Sequence, residues 1–218
     1  MGGTYTTKKY LYKPDVNSTG WGTLFNLMID ILDRVFDLAG YRRVGATPDR
    51  WYPAGMRSCA ALTTVAPTAN VLRAYPHIVP YKTTLDKIAV NCTTLTAGKQ
   101  RLGLYADDGN CAPGARLLDA GEVDTGTTGV KLIDISQTIE AGTLLWLVVV
   151  GNAAPTLRAT PANAGSPILG YDNTLGTDAA IGWSVAYAYA ALPATFPGGA
   201  AVITAAAAQP AIFVRASA

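Results

Sequence analysis

The sequence predicts a mainly β protein: an N-terminal extended segment and one amphipathic helix, followed by a jelly-roll-like β-sandwich. Three observations predict it. Gly (22) and Pro (13) are numerous in the 218 residues and scattered without a period, as in chains of many short strands joined by tight turns. Glu122 and Glu140 are the only glutamates, so the acids are almost all aspartate, the poorer helix former. Half of the side chains are hydrophobic and 15% are charged, against a usual charged share of about a quarter. Such a chain buries a sizeable core and is neither a disordered polymer nor a polyelectrolyte tail. The formal net charge of +2 provides no field toward nucleic acid or an anionic membrane, so neither partner is expected.

The elements follow in order. Residues 1–47 carry six basic and four acidic side chains, whereas 48–218 balance to zero; we take these as an N-terminal anchor and a β domain. Residues 4–13 (TYTTKKYLYK) read as a short extended segment that Pro14 ends. Met1 to Lys13 lacks the apolar core of a signal peptide. Asn17, Ser18 or Thr19 then offers a helix N-cap. From Gly20 to Ala39 the residues Trp21, Leu24, Met28, Ile31, Val35 and Leu38 recur at alternating steps of three and four, the a/d seam of a coiled coil, while Asn26, Asp30, Asp33 and Asp37 keep another side polar. Phe25, Leu27, Ile29, Leu32 and Phe36 widen the apolar surface beyond one stripe, so this helix must be covered. Either it lies across the β domain of its own chain or three copies pack together. Gly40 is a suitable stop.

From Pro48 onward, strand candidates come at steady intervals. Ala69 to Val79, interrupted by Pro76, reads as two short edge pieces. Leu85 to Thr93 points Leu85, Ile88, Val90 and Cys92 inward. Gln100 to Tyr105, the turn DDGNCAPG, Arg116 to Ala120 and Gly129 to Ile135 follow. Thr143 to Gly151 is apolar on both faces, as a central strand would be, and its apolar run is far too short to cross a bilayer. Ala180 to Ala190 alternates around Trp183, Val185, Tyr187 and Tyr189. Pro210 to Ala216 sets Ile212 and Val214 opposite to Phe213. About eight strands suit a sandwich or jelly roll. The stretches 153–180 and 192–209 lack periodicity, and loops of that length usually line a site or an interface.

Catalytic chemistry is sparse. His77, the single histidine, leaves no second imidazole for a zinc cluster or a relay, and no G-x-S-x-G, phosphate loop or dinucleotide fingerprint is present. Asp107, Asp108 and Asn110 could surround Ca²⁺ but lack EF-hand spacing, and a plain turn is the preferred reading. No catalytic residue, metal site or cofactor is expected. Cys59, Cys92 and Cys111 are odd in number and read as buried free thiols, with a bridge between two of them as the alternative. Tyr171, Trp183 and Phe196 are candidate platforms for stacking on a sugar ring, although alternating aromatics such as Trp183, Tyr187 and Tyr189 are more simply core.

Two stretches resemble bacteriophage virion proteins. Lys13-Pro14-Asp15-Val16, then Trp21-Gly22-Thr23, Asn26, Asp30 and Leu32-Asp33, is similar to the KPDxGxxxWGxxxNxxFDxLD segment opening many phage tail-fibre and appendage proteins, with Met28-Ile29 and Asn17 as departures. The second runs through Tyr75-Pro76, Val79-Pro80, Thr83 to Val90, Arg101 to Tyr105, Asp107-Asp108-Gly109, Pro113-Gly114, Leu117 to Gly121, Ala141-Gly142-Thr143 and Trp146. It resembles β-sandwich modules of phage fibre, tail and head-appendage proteins. The resemblance implies a non-enzymatic virion part made in the host bacterial cytoplasm: a homotrimer in which residues 1–47 dock on capsid or tail proteins and 48–218 face outward. It fits a head fibre or spike, a capsid decoration or a short tail appendage. The alternative is an adhesin module that binds a host surface glycan.

Overall fold

The computed structural model describes residues 3–5, 12–14, 50–55, 61–79, 82–165, 168–171, 175 and 179–217. Strands make up 60% of these residues and none is helical, so the mainly β expectation holds. The helix expected over Gly20 to Ala39, with the seam residues Trp21, Leu24, Met28, Ile31, Val35 and Leu38, lies outside the described residues. Near the N-terminus, β1 (Gly3–Tyr5) and β2 (Tyr12–Pro14) pair antiparallel.

From Trp51 the strands form two sheets in a sandwich-like arrangement. The first sheet runs β13 (Ala201–Thr204), β12 (Ala180–Ala186), β5 (Val71–Val79), β10 (Thr143–Gly151), β7 (Lys99–Asp107) and β8 (Pro113–Asp124). The second is built on β6 (Thr83–Thr94). Along one side of β6 lies β9 (Gly129–Ile139); along the other, β15 (Phe213–Ala216) and β11 (Thr156–Thr160) pair with different parts of it. β3 (Trp51–Pro53) pairs with β15, while β4 (Thr63–Val65) and β14 (Gln209–Pro210) pair with β11. Every pairing is antiparallel.

Period-two alternation sends one set of side chains from each sheet into the shared interior. That core contains Leu102 and Leu104 of β7, Leu145, Leu147 and Val149 of β10, Leu85, Ile88, Val90 and Cys92 of β6, and Ile212 and Val214. The four inward residues expected on β6 include a step of three, from Leu85 to Ile88. A register shift between Arg215 and Ala216 makes Asp86 an extra residue opposite β15, and such a bulge returns the following residues to the same face. Asp86 then reaches across the sheet, and Arg215 binds its carboxylate with both Nε (3.0 Å) and an Nη (2.5 Å).

β10 is the central strand its sequence suggests, flanked by β5 and β7. Its other face, Trp146, Val148 and Val150, belongs to a second core with Leu72, Ala74, Tyr105, Leu192 and Phe196. The first sheet is thus covered on both sides, by the second sheet within and by the segment 187–200 without. Fully burying each large side chain in such a layer contributes about 1.5–3 kcal/mol.

The stretch expected as two edge pieces around Pro76 is instead one nine-residue strand. β12 pairs only with residues 71–74 of β5, so Pro76 lies where that side of the strand is free. The Pro76 carbonyl accepts the Gly55 N–H (2.8 Å) on the side away from β10. The donor that proline lacks would also have pointed there, so the β10 ladder loses nothing. Ala54 donates to the Ile212 carbonyl (2.8 Å), so the turn Ala54–Gly55 joins the two sheets.

Candidate functional site

The outer covering of the first sheet is built from the end of the expected strand Ala180 to Ala190 and the start of the aperiodic stretch 192–209. The alternation around Trp183, Val185, Tyr187 and Tyr189 persists, but β12 ends at Ala186. Beyond it, Tyr187 N and Tyr189 N donate to the backbone carbonyl (2.9 Å) and side-chain oxygen (3.0 Å) of Asn70. The chain then crosses β8 and β7 as a strap. Leu192 N donates to Asp119 Oδ2 (3.0 Å), the Tyr105 hydroxyl to Pro193 O (2.6 Å), Arg116 N to Ala194 O (2.8 Å), and Phe196 N to Gly114 O (2.9 Å). Arg116 Nη1 also donates to Leu192 O. Leu192 descends onto Gly103, where an added Cβ would meet Leu192 Cδ1 at 2.3 Å and the Leu118 carbonyl at 2.5 Å. Only a glycine admits the strap so close to the sheet.

A charged cluster fastens this strap. Arg101 Nη1 donates to both oxygens of Asp119 (3.0 Å each) and Nη2 to Glu122 (3.3 Å). Asp119 Oδ1 also accepts from Gly121 N (3.1 Å), so this carboxylate orients the sheet and the strap together. Lys99 donates to Glu122, and the Tyr189 hydroxyl does so at 2.7 Å. Those two hydrogen bonds hold the Glu122 carboxyl below the usual carboxylate range. Burial, then the Glu122 carboxylate, pushes the Tyr189 hydroxyl up to about 12. Glu122 is a strand residue with a structural task, whereas exposed Glu140 pairs with Lys82 (2.7 Å).

The candidate aromatics separate. Phe196 is 7% exposed and meets Tyr105 edge-to-face, ring centroids 5.6 Å apart. Its ring is part of the second core, so it offers no platform to a ligand. Trp183 is half-buried against the same core and donates Nε1–H to Cys111 O (2.9 Å). Tyr171 alone stands out, 57% exposed.

The remaining polar candidates take structural roles. In the turn after β7, Asp107 accepts Gly109 N (2.9 Å) and Trp146 Nε1–H (3.0 Å), while Asp108 Oδ1 accepts Asn110 N (2.8 Å) and Ala112 N (3.2 Å). The carboxylates thus cap backbone donors, as aspartates in turns commonly do. Among the described residues no three His, Cys, Asp or Glu side chains are grouped to hold a metal. His77 faces inward on β5, buried, and Nε2 has no hydrogen-bond partner among the described residues. Burial lowers it to about pKa 4. Cys92 is a buried free thiol and Cys111 a half-buried one; Cys59 lies outside the described residues.

The second sheet offers the contrasting surface. Phe213, Ala89 and Leu132 are cross-strand neighbours on its outer face, and Asn91 opposes Val130 one pair along. The small Ala89 between larger neighbours leaves a shallow groove of about 210 Å³, lined by Trp51, Leu62, Ala89, Val90, Asn91, Val130 and Phe213. Val130 and Leu132 are 56% and 45% exposed on β9. The row Arg215, Lys87 and Asp134 bounds the groove, with Lys87 paired to Asp134 and Arg215 6.0 Å over the Trp51 ring. What this face can do is bind apolar surface. The sequence signal for it was Phe213, opposite in phase to Ile212 and Val214, together with Val130 and Leu132 in one phase of β9. No protein-family model matches the chain, and no curated protein does.

Proposed function

We propose that this chain is a non-catalytic structural subunit of a bacteriophage particle, one third of a homotrimeric head fibre or spike, capsid decoration or short tail appendage. Residues 1–47 anchor and trimerise, and 48–218 form a jelly-roll-like knob pointing away from the mount. The observation that carries this reading is the joining of two features in one chain. One is a sandwich whose charged and aromatic groups are engaged in sealing its own outer face. The other is an N-terminal stretch with a heptad seam too apolar to stand alone in water. Strands β4 to β7, and again β8 to β12, alternate between the sheets along the chain, which supports the jelly-roll description, and the phage-like motifs supply the setting.

Solution mass tests the reading directly. A trimer at micromolar concentration is expected, and Met28→Asp or Ile31→Asp should reduce it to monomer with the β far-UV signal retained. A monomeric parent chain, or an Asp variant that still trimerises, refutes the seam. A particle reconstruction that places the subunit tests the location in the virion.

A second reading, a host-glycan adhesin, is favoured by one observation: Tyr171 and Leu175 (84% exposed) present large apolar side chains on the stretch 168–179. Glycan-array binding that Tyr171→Ala abolishes would support it, and an array without signal would remove it.

A further inference from the structure

We infer that the apolar groove on the outer face of the second sheet is the docking site of this chain's own residues 25–36, presented as a second helical stripe distinct from the seam. At 100° per residue, Phe25, Ile29, Leu32 and Phe36 share one side of a helix, roughly a quarter of the circumference from the seam Trp21, Leu24, Met28, Ile31, Val35 and Leu38. One helix can then meet sister copies along one stripe and a sheet along the other.

The groove matches that stripe in chemistry and size. Its wall residues Trp51, Leu62, Val130 and Phe213 are apolar, and Ala89 forms its floor. An apolar cavity of ~150 Å³ accepts a benzene, so about 210 Å³ accommodates one phenylalanine ring, that of Phe25 or Phe36. Exposed Leu132, beside Val130 on the same face of β9, extends the apolar surface beyond the groove, and a helix of 20 residues, about 30 Å long, covers both.

Chain geometry selects the occupant. Residues 15–49 lie outside the described residues, and the described chain resumes at Arg50, adjacent to Trp51 in the groove wall. Nine residues lie between Gly40 and Arg50, ten Cα-to-Cα steps that reach at most about 36 Å when extended. The tether keeps residues 25–36 beside their own groove at high effective concentration, an advantage that no separate partner has. The inference takes from the proposed function only the helix; it requires neither the particle nor the trimer.

The test places the photo-crosslinking residue p-benzoylphenylalanine at Val130 in the full-length chain. Isotopically light and heavy chains are mixed, refolded together and irradiated, and the crosslinked peptides are read by mass spectrometry. The expected adducts join position 130 to residues 25–36, light to light and heavy to heavy only. Mixed light–heavy adducts, adducts elsewhere, or no adduct to residues 25–36 overturn the inference. The mass of the same sample reports the trimer separately. A trimer without the expected adducts rejects the groove assignment alone, and a monomer with them rejects the seam alone.

Discussion

His77 gives the sharpest quantitative prediction. It faces the interior opposite Leu145 on β10, 3% exposed, with no hydrogen-bond partner for Nε2 among the described residues. Burial lowers its pKa from 6.5 to about 4. Between those values the unfolded chain binds a proton that the folded chain refuses, so stability is full above about pH 6.5 and falls as the solution is acidified. Integrated over that window, the loss by pH 4 is about 3 kcal/mol. The assay is urea unfolding from about pH 7 to about pH 4, on the parent chain and on His77→Leu. Asp86, held low chiefly by its hydrogen bond with Arg215, and Glu122, held low chiefly by Lys99, also lose stability on acidification. Both remain in the variant, so their contributions cancel in the difference between the two curves. That difference should grow by about 3 kcal/mol toward pH 4. Parallel curves would refute the placement of a neutral, desolvated imidazole in the core.

Further outcomes follow from the strap. Gly103→Ala drives a methyl into the Leu118 carbonyl and should cost about 1–3 kcal/mol, read as a lower urea midpoint with unchanged slope. Phe196→Ala removes a ring buried against Tyr105 and should cost about 3–5 kcal/mol, with faster proteolysis within 187–200; an unchanged cleavage rate would contradict the covering role. Asp119→Asn keeps an acceptor but loses the charge facing Arg101, and should destabilise the strap by about 1–3 kcal/mol. Hydrogen exchange at the Leu192 amide should accelerate, while exchange in β10 should change less.

The legible parts of the fold were those in which one residue pattern had one physical cause. The apolar run Thr143–Gly151 announced a strand covered on both faces, and β10 is that strand. Leu85, Ile88, Val90 and Cys92 were readable as inward despite the three-residue step, because hydrophobicity marks the face even where a bulge breaks the period. The misread parts depended on distant partners. Pro76 argues locally for a break, and only the one-sided pairing at that point of β5 makes it harmless. β11 and β13, among alanines and threonines, owe their existence to neighbouring strands rather than to propensity. For the site, aromatic alternation in 183–189 correctly indicated core, but nothing in sequence spacing ties Leu192 to Asp119 or Phe196 to Tyr105. Those contacts bridge 73 residues in the first case and a comparable span in the second.

The strap also dictates an order of events during synthesis. Tyr105 waits for the carbonyl of Pro193, 88 residues downstream, and Trp146, Val148 and Val150 wait for Leu192 and Phe196. A nascent chain that has emerged only as far as β11 carries a tryptophan-bearing sheet face with no lid of its own. Contacts so distant in sequence form late, and uncovered apolar sheet is where growing chains stick to one another. Residues 187–200 therefore decide when the newborn sheet face stops being adhesive, and a ribosome stalled before Leu192 would release a product suited to chaperones.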